Sequence, residues 1–214
     1  MNANTSKGED TRQRIIAAAA PLFNQQGYAG CALKDIMDAT GLEKGGIYRH
    51  FESKEELAAE AFDYAWGISM ALHWQGMEDV PNHVDRLKRH IASFAQRSSI
   101  PGGCPLLNTG VDSDNGNPVL RERVQKALRG WRKKLRIILV DGIEAGTVRG
   151  DIDVDKVSRL IVSGLEGGIL LSRIEKNDQA RQDAMEFLNA FLEMQVRAPR
   201  PRSAKPSAAT KKTR

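Results

Sequence analysis

Between Gly41 and Glu56 the chain reads GLEKGGIYRHFESKEE, a segment whose chemistry is hydrogen-bond donation rather than catalysis. Lys44, Tyr48, Arg49 and His50 fall close together, and each can donate to a phosphate oxygen or a base edge. Ile47 and Phe51, four apart, share a face that can anchor the run to a core. Gly41 suits a helix stop, since a residue without a β-carbon tolerates left-handed geometry. Ser53 with Glu56 three residues on makes a capping box that starts a new helix at once. A short donor-bearing helix, Lys44–His50, is therefore expected to stand against a longer one. Acids outnumber cations between residues 11 and 63, so attraction to phosphate rests on placement, not on bulk charge.

Cys104 is the second candidate. Pro105 fits a first helical position, which puts Cys104 at the N-cap. A thiol there feels the positive helix end, and its pKa is expected to fall towards a reactive thiolate. The plain alternative is a small, inert core filler. The histidines are His50, His73, His83 and His90; His83 and His90 are seven apart, but no acid or thiol completes a metal set, and no metal or cofactor is expected. No glycine-flanked serine or phosphate loop is present, so no catalytic residue is assigned, although an all-α enzyme or carrier remains a rival class. Trp66, Met70, His73, Trp74, Phe94, Cys104, Leu106, Leu107 and Trp131 are candidates to line an adaptable apolar pocket, a role that competes with ordinary core filling.

The elements that must position these residues are all helical. A first helix capped by Asp10 or Thr11 carries Ile15, Ala19, Leu22 and Phe23, with a kink expected at Pro21 and a stop at Gly27. A second spans about Ala32–Thr40, and the turn at Gly41 leads into the donor helix, a helix-turn-helix arrangement. A long helix from Ser53 towards Trp74 follows, then Asn82–Gln96, a short helix through Leu106 and Leu107, Pro118 to about Ala145, and a final pair, Val154–Glu175 and Asp178–Gln195. The expected fold class is all-α, a three-helix head on a larger helical domain. The divisions are a flexible 1–9, a head over 10–57, an effector and dimerisation domain over 58–195, and a disordered basic tail over 196–214. Net charge is +5, yet the tail holds seven Lys or Arg and no acid, leaving the body slightly acidic. No run of eighteen apolar residues and no hydrophobic leader is seen, which points away from membrane and secretion and towards the cytoplasm. Two cysteines make no disulfide framework.

Over about Thr11 to Phe62 the chain resembles the TetR/AcrR family of bacterial transcription regulators. The residues that carry this are TRQRIIAAAAPLF, Gly27-Tyr28, Leu33-Lys34-Asp35-Ile36, Gly41-Leu42, Lys44-Gly45-Gly46-Ile47-Tyr48-Arg49-His50-Phe51 and Ser53-Lys54-Glu55-Glu56-Leu57. The resemblance implies a homodimer that binds a palindromic operator in double-stranded DNA, as a repressor released by a small-molecule effector whose identity is unknown. Lys44 and Lys34 then match positions that reach bases, and Tyr48, His50 and Lys54 match phosphate or sugar contacts, with Gly45, Gly46 and Arg49 on the same surface. Gly46 replaces the usual Thr or Ser, and Cys31 stands where Thr usually caps the second helix, a loss of about 1 kcal/mol. Some members that sense electrophiles are similar in placing Gly-Cys at the start of the Cys104 helix, so a thiol sensor is the alternative to a cavity ligand. The last two helices are expected to pair with a second subunit through Leu160, Ile161, Gly164, Leu165, Gly168, Leu188, Phe191 and Leu192. Close approach of a partner would offset the roughly 1 kcal/mol that each helical glycine costs against Ala.

Overall fold

The computed structural model describes residues 3–95, 100–114 and 116–199, the side chains of residues 3–6 excepted. Helix α1 (Ala3–Gly30) begins well before the expected cap at Asp10 or Thr11, so the segment over 1–9 is helical from Ala3. Its dihedrals stay helical through Pro21 and depart at Gly27 (φ 75°, ψ 172°), which moves the expected kink to the glycine. The break frees the Tyr28 N–H to donate to Asp112 Oδ2 at 2.7 Å.

Helix α2 (Leu33–Thr40) is capped at Ala32, not Cys31. Ala32 has no side-chain acceptor, and the Asp35 carboxylate instead accepts the Ala32 N–H at 2.8 Å. Cys31 is spared for the core, where it is fully buried. Gly41 closes α2 at φ 69°, its N–H reaching the Met37 carbonyl at 2.8 Å. Helix α3 (Lys44–Tyr48) is little more than one turn and ends at Arg49, short of the expected His50. Ser53 caps α4 (Lys54–Trp74) by accepting the Glu56 N–H at 3.1 Å, while the Glu56 carboxylate accepts from Glu52. Ile15, Ala19, Ile36, Ile47, Phe51 and Leu57 make a closed head core around these elements.

The larger body contains α5 (His83–Ser93), α6 (Pro105–Ser113), α7 (Pro118–Glu144), α8 (Val154–Glu175), α9 (Gln179–Phe191) and a π-turn over Leu192–Val196. Helix α5 stops before the expected Gln96, which lies outside the described residues. Its core is built from Leu87, Ile91, Trp131, Leu139, Leu165 and Leu188. The first residues of the tail expected from residue 196 are packed against the body. Val196 is fully buried and accepts the Arg149 N–H at 2.9 Å, and the Arg197 guanidinium binds Glu193 at 2.6 Å and also Asp85. The remainder of that tail, 200–214, lies outside the described residues. Among the described residues no helix is long and apolar enough to cross a membrane.

Candidate nucleic-acid interface and ligand cavity

Helix α3 buries one side chain. Ile47 is 1% exposed and fixes the helix to the head core, while Lys44, Gly45, Tyr48 and Arg49 face outward. Tyr48 is 37% exposed, and Lys44 Nζ lies 5.9 Å from its ring centroid. Lys34 is exposed on α2, so the two helices present a common polar surface. Gly45 faces open space, and Gly46 lies over Leu42, whose Cβ would be 3.5 Å from an added methyl. His50 is half-buried at the end of this surface. Lys54 differs from the rest: its ammonium donates to the Tyr28 carbonyl at 2.6 Å and sits 4.5 Å above the Tyr28 ring, so the side chain is already engaged. Arg12 pairs with Glu60 and, at 3.6 Å, with Glu56, and covers the Phe51 ring; it thereby offsets part of the acidity of α4 near the surface.

Behind the head, α4, the C-cap of α5 at Phe94, the loop leading into α6, the end of α8 and the start of α9 line a partly open cavity of about 560 Å³. Of the expected lining residues, Trp66, Met70, His73, Phe94 and Cys104 reach it. Trp74, Leu106, Leu107 and Trp131 do not. Trp131 is a core residue, Leu106 is buried in the same core, Leu107 packs against it, and Trp74 stacks on His90 at 4.1 Å. Ser69, Ile169, Ser172, Arg173, Lys176 and Arg181 also line the cavity and were not anticipated. Most of these lie on α8 and the turn after it, a helix whose apolar residues pointed to subunit pairing.

Proton bookkeeping fixes the histidines. A carbonyl only accepts, so His90 Nδ1 donates to the His73 carbonyl at 3.1 Å. An indole N–H only donates, so His90 Nε2 accepts from Trp131 at 2.9 Å. The Ser93 hydroxyl spends its proton on the His90 carbonyl at 2.6 Å, so Ser93 Oγ accepts from His73 Nδ1 at 2.9 Å. His73 Nδ1 thus carries a proton, and in the neutral ring that burial favours Nε2 is left as an acceptor on a side chain that lines the cavity. Burial depresses His73 to about 4 and His90 to about 3. His83 belongs elsewhere, bonded through Nδ1 to Thr147 at 3.0 Å. No cluster of three or more His, Cys, Asp or Glu is placed to hold a metal among the described residues.

Cys104 does cap α6, as its neighbour Pro105 implied, but it is not activated. Burial pushes the thiol up, and the adjacent Glu166, which accepts from Sγ at 3.0 Å, pushes it further. Helix-end amides lower it by less than these raise it. Glu166 is itself raised by burial to about 7. The expected thiolate is therefore corrected to a buried thiol paired with a carboxyl group.

The expected pairing residues are also corrected. Ile161, Leu165, Leu188 and Leu192 are buried within the chain's own core, and Gly168 is buried with them. A β-carbon on Gly168 would sit 2.9 Å from Ala184 Cβ, and one on Gly164 3.1 Å from Leu188 Cδ1. These glycines admit α9 rather than a second subunit. Phe191 is half-buried, and Leu160 alone of the set is exposed. The exposed apolar face is a different one: Leu160, Leu170, Leu171 and Ile174 on α8, with Phe187 and Met194 across from them.

Comparison with known proteins agrees with this architecture. The model for bacterial regulatory proteins of the tetR family matches residues 15–61, and that for the tetracyclin repressor-like C-terminal domain matches residues 81–188. A TetR transcriptional regulator from Chloroflexus aurantiacus J-10-FL is 42% identical, with a TM-score of 0.86 over 91% of this chain and 100% of that one. A TetR-family regulator from Cytophaga hutchinsonii is 36% identical, with a TM-score of 0.83 over 87% of this chain and 95% of that one. The HTH-type transcriptional repressor DhaR of Mycobacterium sp. (strain GP1) is 28% identical over 185 residues, 85% of this chain and 90% of that protein.

Proposed function

The chain belongs to the tetR family of bacterial regulatory proteins, and from that premise we propose a homodimeric repressor that leaves its palindromic operator when a small molecule fills the cavity. The observation that carries the DNA-binding half is α3 itself, which buries Ile47 alone and turns Lys44, Tyr48 and Arg49 outward. A helix so short and so polar on its outer face suits the major groove, with Lys44 at a base edge and Tyr48 on a phosphate. Two such heads, about one helical turn of DNA apart, would read half-sites related by a two-fold axis.

The response to ligand is supported by one helix serving both sites. Helix α4 begins under the head at Ser53 and supplies Trp66, Met70 and His73 to the cavity. An effector that binds better to one tilt of α4 shifts the population towards a head spacing that no longer fits both grooves. The test is a gel-shift assay with duplexes from upstream of the chain's own coding region. Lys44→Ala is expected to cost 1–3 kcal/mol, roughly 5- to 150-fold in affinity, and to relax sequence preference. Tyr48→Ala weakens binding to all duplexes more evenly. Wild-type affinity in both variants would refute this placement of the reading helix.

A further inference from the structure

The polar edge of the cavity is cationic, and one of its cations is tied to the DNA-binding head. Arg173, on α8, crosses Gly103 so closely that a β-carbon there would lie 3.0 Å from Cδ and 3.1 Å from Nη1. Nη1 donates to Asn108 Oδ1 at 2.6 Å. Asn108 Nδ2 in turn lies 2.9 Å from the Asn24 carbonyl, 3.0 Å from Asn24 Oδ1 and 2.8 Å from the Gly102 carbonyl. Asn24 belongs to α1, is 6% exposed, and donates from Nδ2 to the Pro101 carbonyl at 2.8 Å and the Gly103 carbonyl at 3.1 Å. Gly102 (φ +103°) comes so near that a β-carbon would meet the Asn24 carbonyl oxygen at 2.8 Å. The Pro101–Gly103 loop is thus held on one side by the head's first helix and on the other by a cavity side chain.

Cations outnumber carboxylates at this edge, where Arg173 and Lys176 are solvent-exposed. Arg173 is satisfied by a neutral amide, Arg181 is paired with Asp178 at 2.9 Å, and Lys176 has no carboxylate partner among the described residues. Apolar lining comes from Trp66 and Met70 of α4, from Phe94, and from Ile169 one turn before Arg173. A guanidinium prefers a carboxylate to an amide, because the fork then makes two parallel charge-assisted bonds. Resting on the regulator reading, we propose that the effector is an apolar carboxylate, its body against Trp66, Met70 and Phe94 and its carboxylate on Arg173. By drawing Arg173 from Asn108, it loosens the Asn24–Asn108 clamp that fixes α1 to α6. Glu166, behind Cys104, is raised by burial to about 7, so about half of it is neutral at pH 7 and its repulsion is reduced to that extent.

The experiment titrates the full chain calorimetrically with the ω-phenylalkanoates from phenylacetate to phenyloctanoate and with their primary amides. Operator binding of the same samples is followed in parallel. At least one carboxylate is expected to bind tenfold or more tighter than its amide, and Arg173→Gln to erase that difference. In Asn108→Ala the carboxylate still binds but releases the operator severalfold less effectively. Should that variant melt below the assay temperature, Asn108→Ser takes its place. Equal affinity of acid and amide throughout the series, or no binding by any member, would overturn the effector class, and a preference that survives Arg173→Gln would overturn Arg173 as its anchor. Undiminished release in the Asn108 variant would overturn the relay. Failure of the wild type to bind any duplex counts instead against the regulator reading, and the titration remains interpretable.

Discussion

His73 and His90 are neutral rings buried in the body, and this gives the protein a calculable response to acid. Their folded pKa values, about 4 and about 3, lie below the ordinary 6.5, so the unfolded chain takes up protons that the folded one refuses. Their contribution is complete above pH 6.5 and is lost as pH falls, at about 1.4 kcal/mol per pH unit for each ring. Glu166 acts in the opposite sense. Held at about 7 against an ordinary 4.5, it lowers stability as pH rises from 4.5 to 7. Urea melts of His73→Phe, whose ring can keep the 3.8 Å stack on Phe94, should show a slope between pH 4.5 and 6 smaller by about 1.4 kcal/mol per unit. An unchanged slope would mean that His73 titrates normally. At Gly46 the backbone is ordinary and the space above it open enough for Leu42 to make normal contact. Gly46→Ser should therefore raise stability by about 0.5–1 kcal/mol and, in gel shifts, keep or tighten operator binding. A lower melting temperature would show that α3 needs its glycine. Lys44 and Tyr48 were legible as surface donors because their neighbours Ile47 and Phe51 named the inner face. The engagement of Lys54 with Tyr28, and the carboxyl group waiting for Cys104, were not, since both partners are remote in sequence.

Helix limits were legible where a cap or stop is local: Gly41, Ser53, Cys104 with Pro105, and Pro118 all fall where side-chain chemistry put them. They were misread where the deciding contact is tertiary. The kink expected at Pro21 is absent, and the break falls only at Gly27, the expected stop, where Asp112 of α6 accepts the amide that the break exposes. Helix α8 is the sharpest case. Apolar residues occupy two of its faces, and periodicity alone does not say which one meets α9. The glycines decide it, for only Gly164 and Gly168 lie under α9, whereas Gly167 faces open space. A larger side chain at Gly168 has nowhere to go, with Ala184 Cβ 2.9 Å and the Arg181 backbone 3.1 Å from an added β-carbon. Gly168→Val is expected to cost about 1–3 kcal/mol, read as a lower urea midpoint at constant m-value. Gly167→Ala should be neutral or stabilising, and equal effects at the two positions would contradict this packing.

At the scale of the molecule, the misassignment on α8 leaves its other face without an occupant in the single chain. Ile174 is 67% exposed and Phe187 71%, and Leu160, Leu170, Leu171 and Met194 are exposed on the same pair of helices and the turn that follows, a concentration of apolar surface of the kind that marks a protein interface. Helices α8 and α9 packed on their copies would bury it under an isologous contact, the self-complementary arrangement of a two-fold dimer. On this proposal the oligomer would use the same two helices that the sequence singled out, but their outer residues. Operator affinity depends on this pairing, since the second head binds at an effective concentration set by the first. The double variant Ile174→Glu, Phe187→Glu should therefore run as a monomer in light scattering and lose at least 100-fold in operator affinity. Its helices should melt much as before, because both side chains are solvent-exposed in the lone subunit. Leu165→Glu is the contrasting control: at 1% exposure its carboxylate would enter the core, and the chain should unfold rather than merely dissociate. A double variant that stays dimeric, or a monomer that binds the palindrome as tightly as the wild type, would place the subunit contact elsewhere.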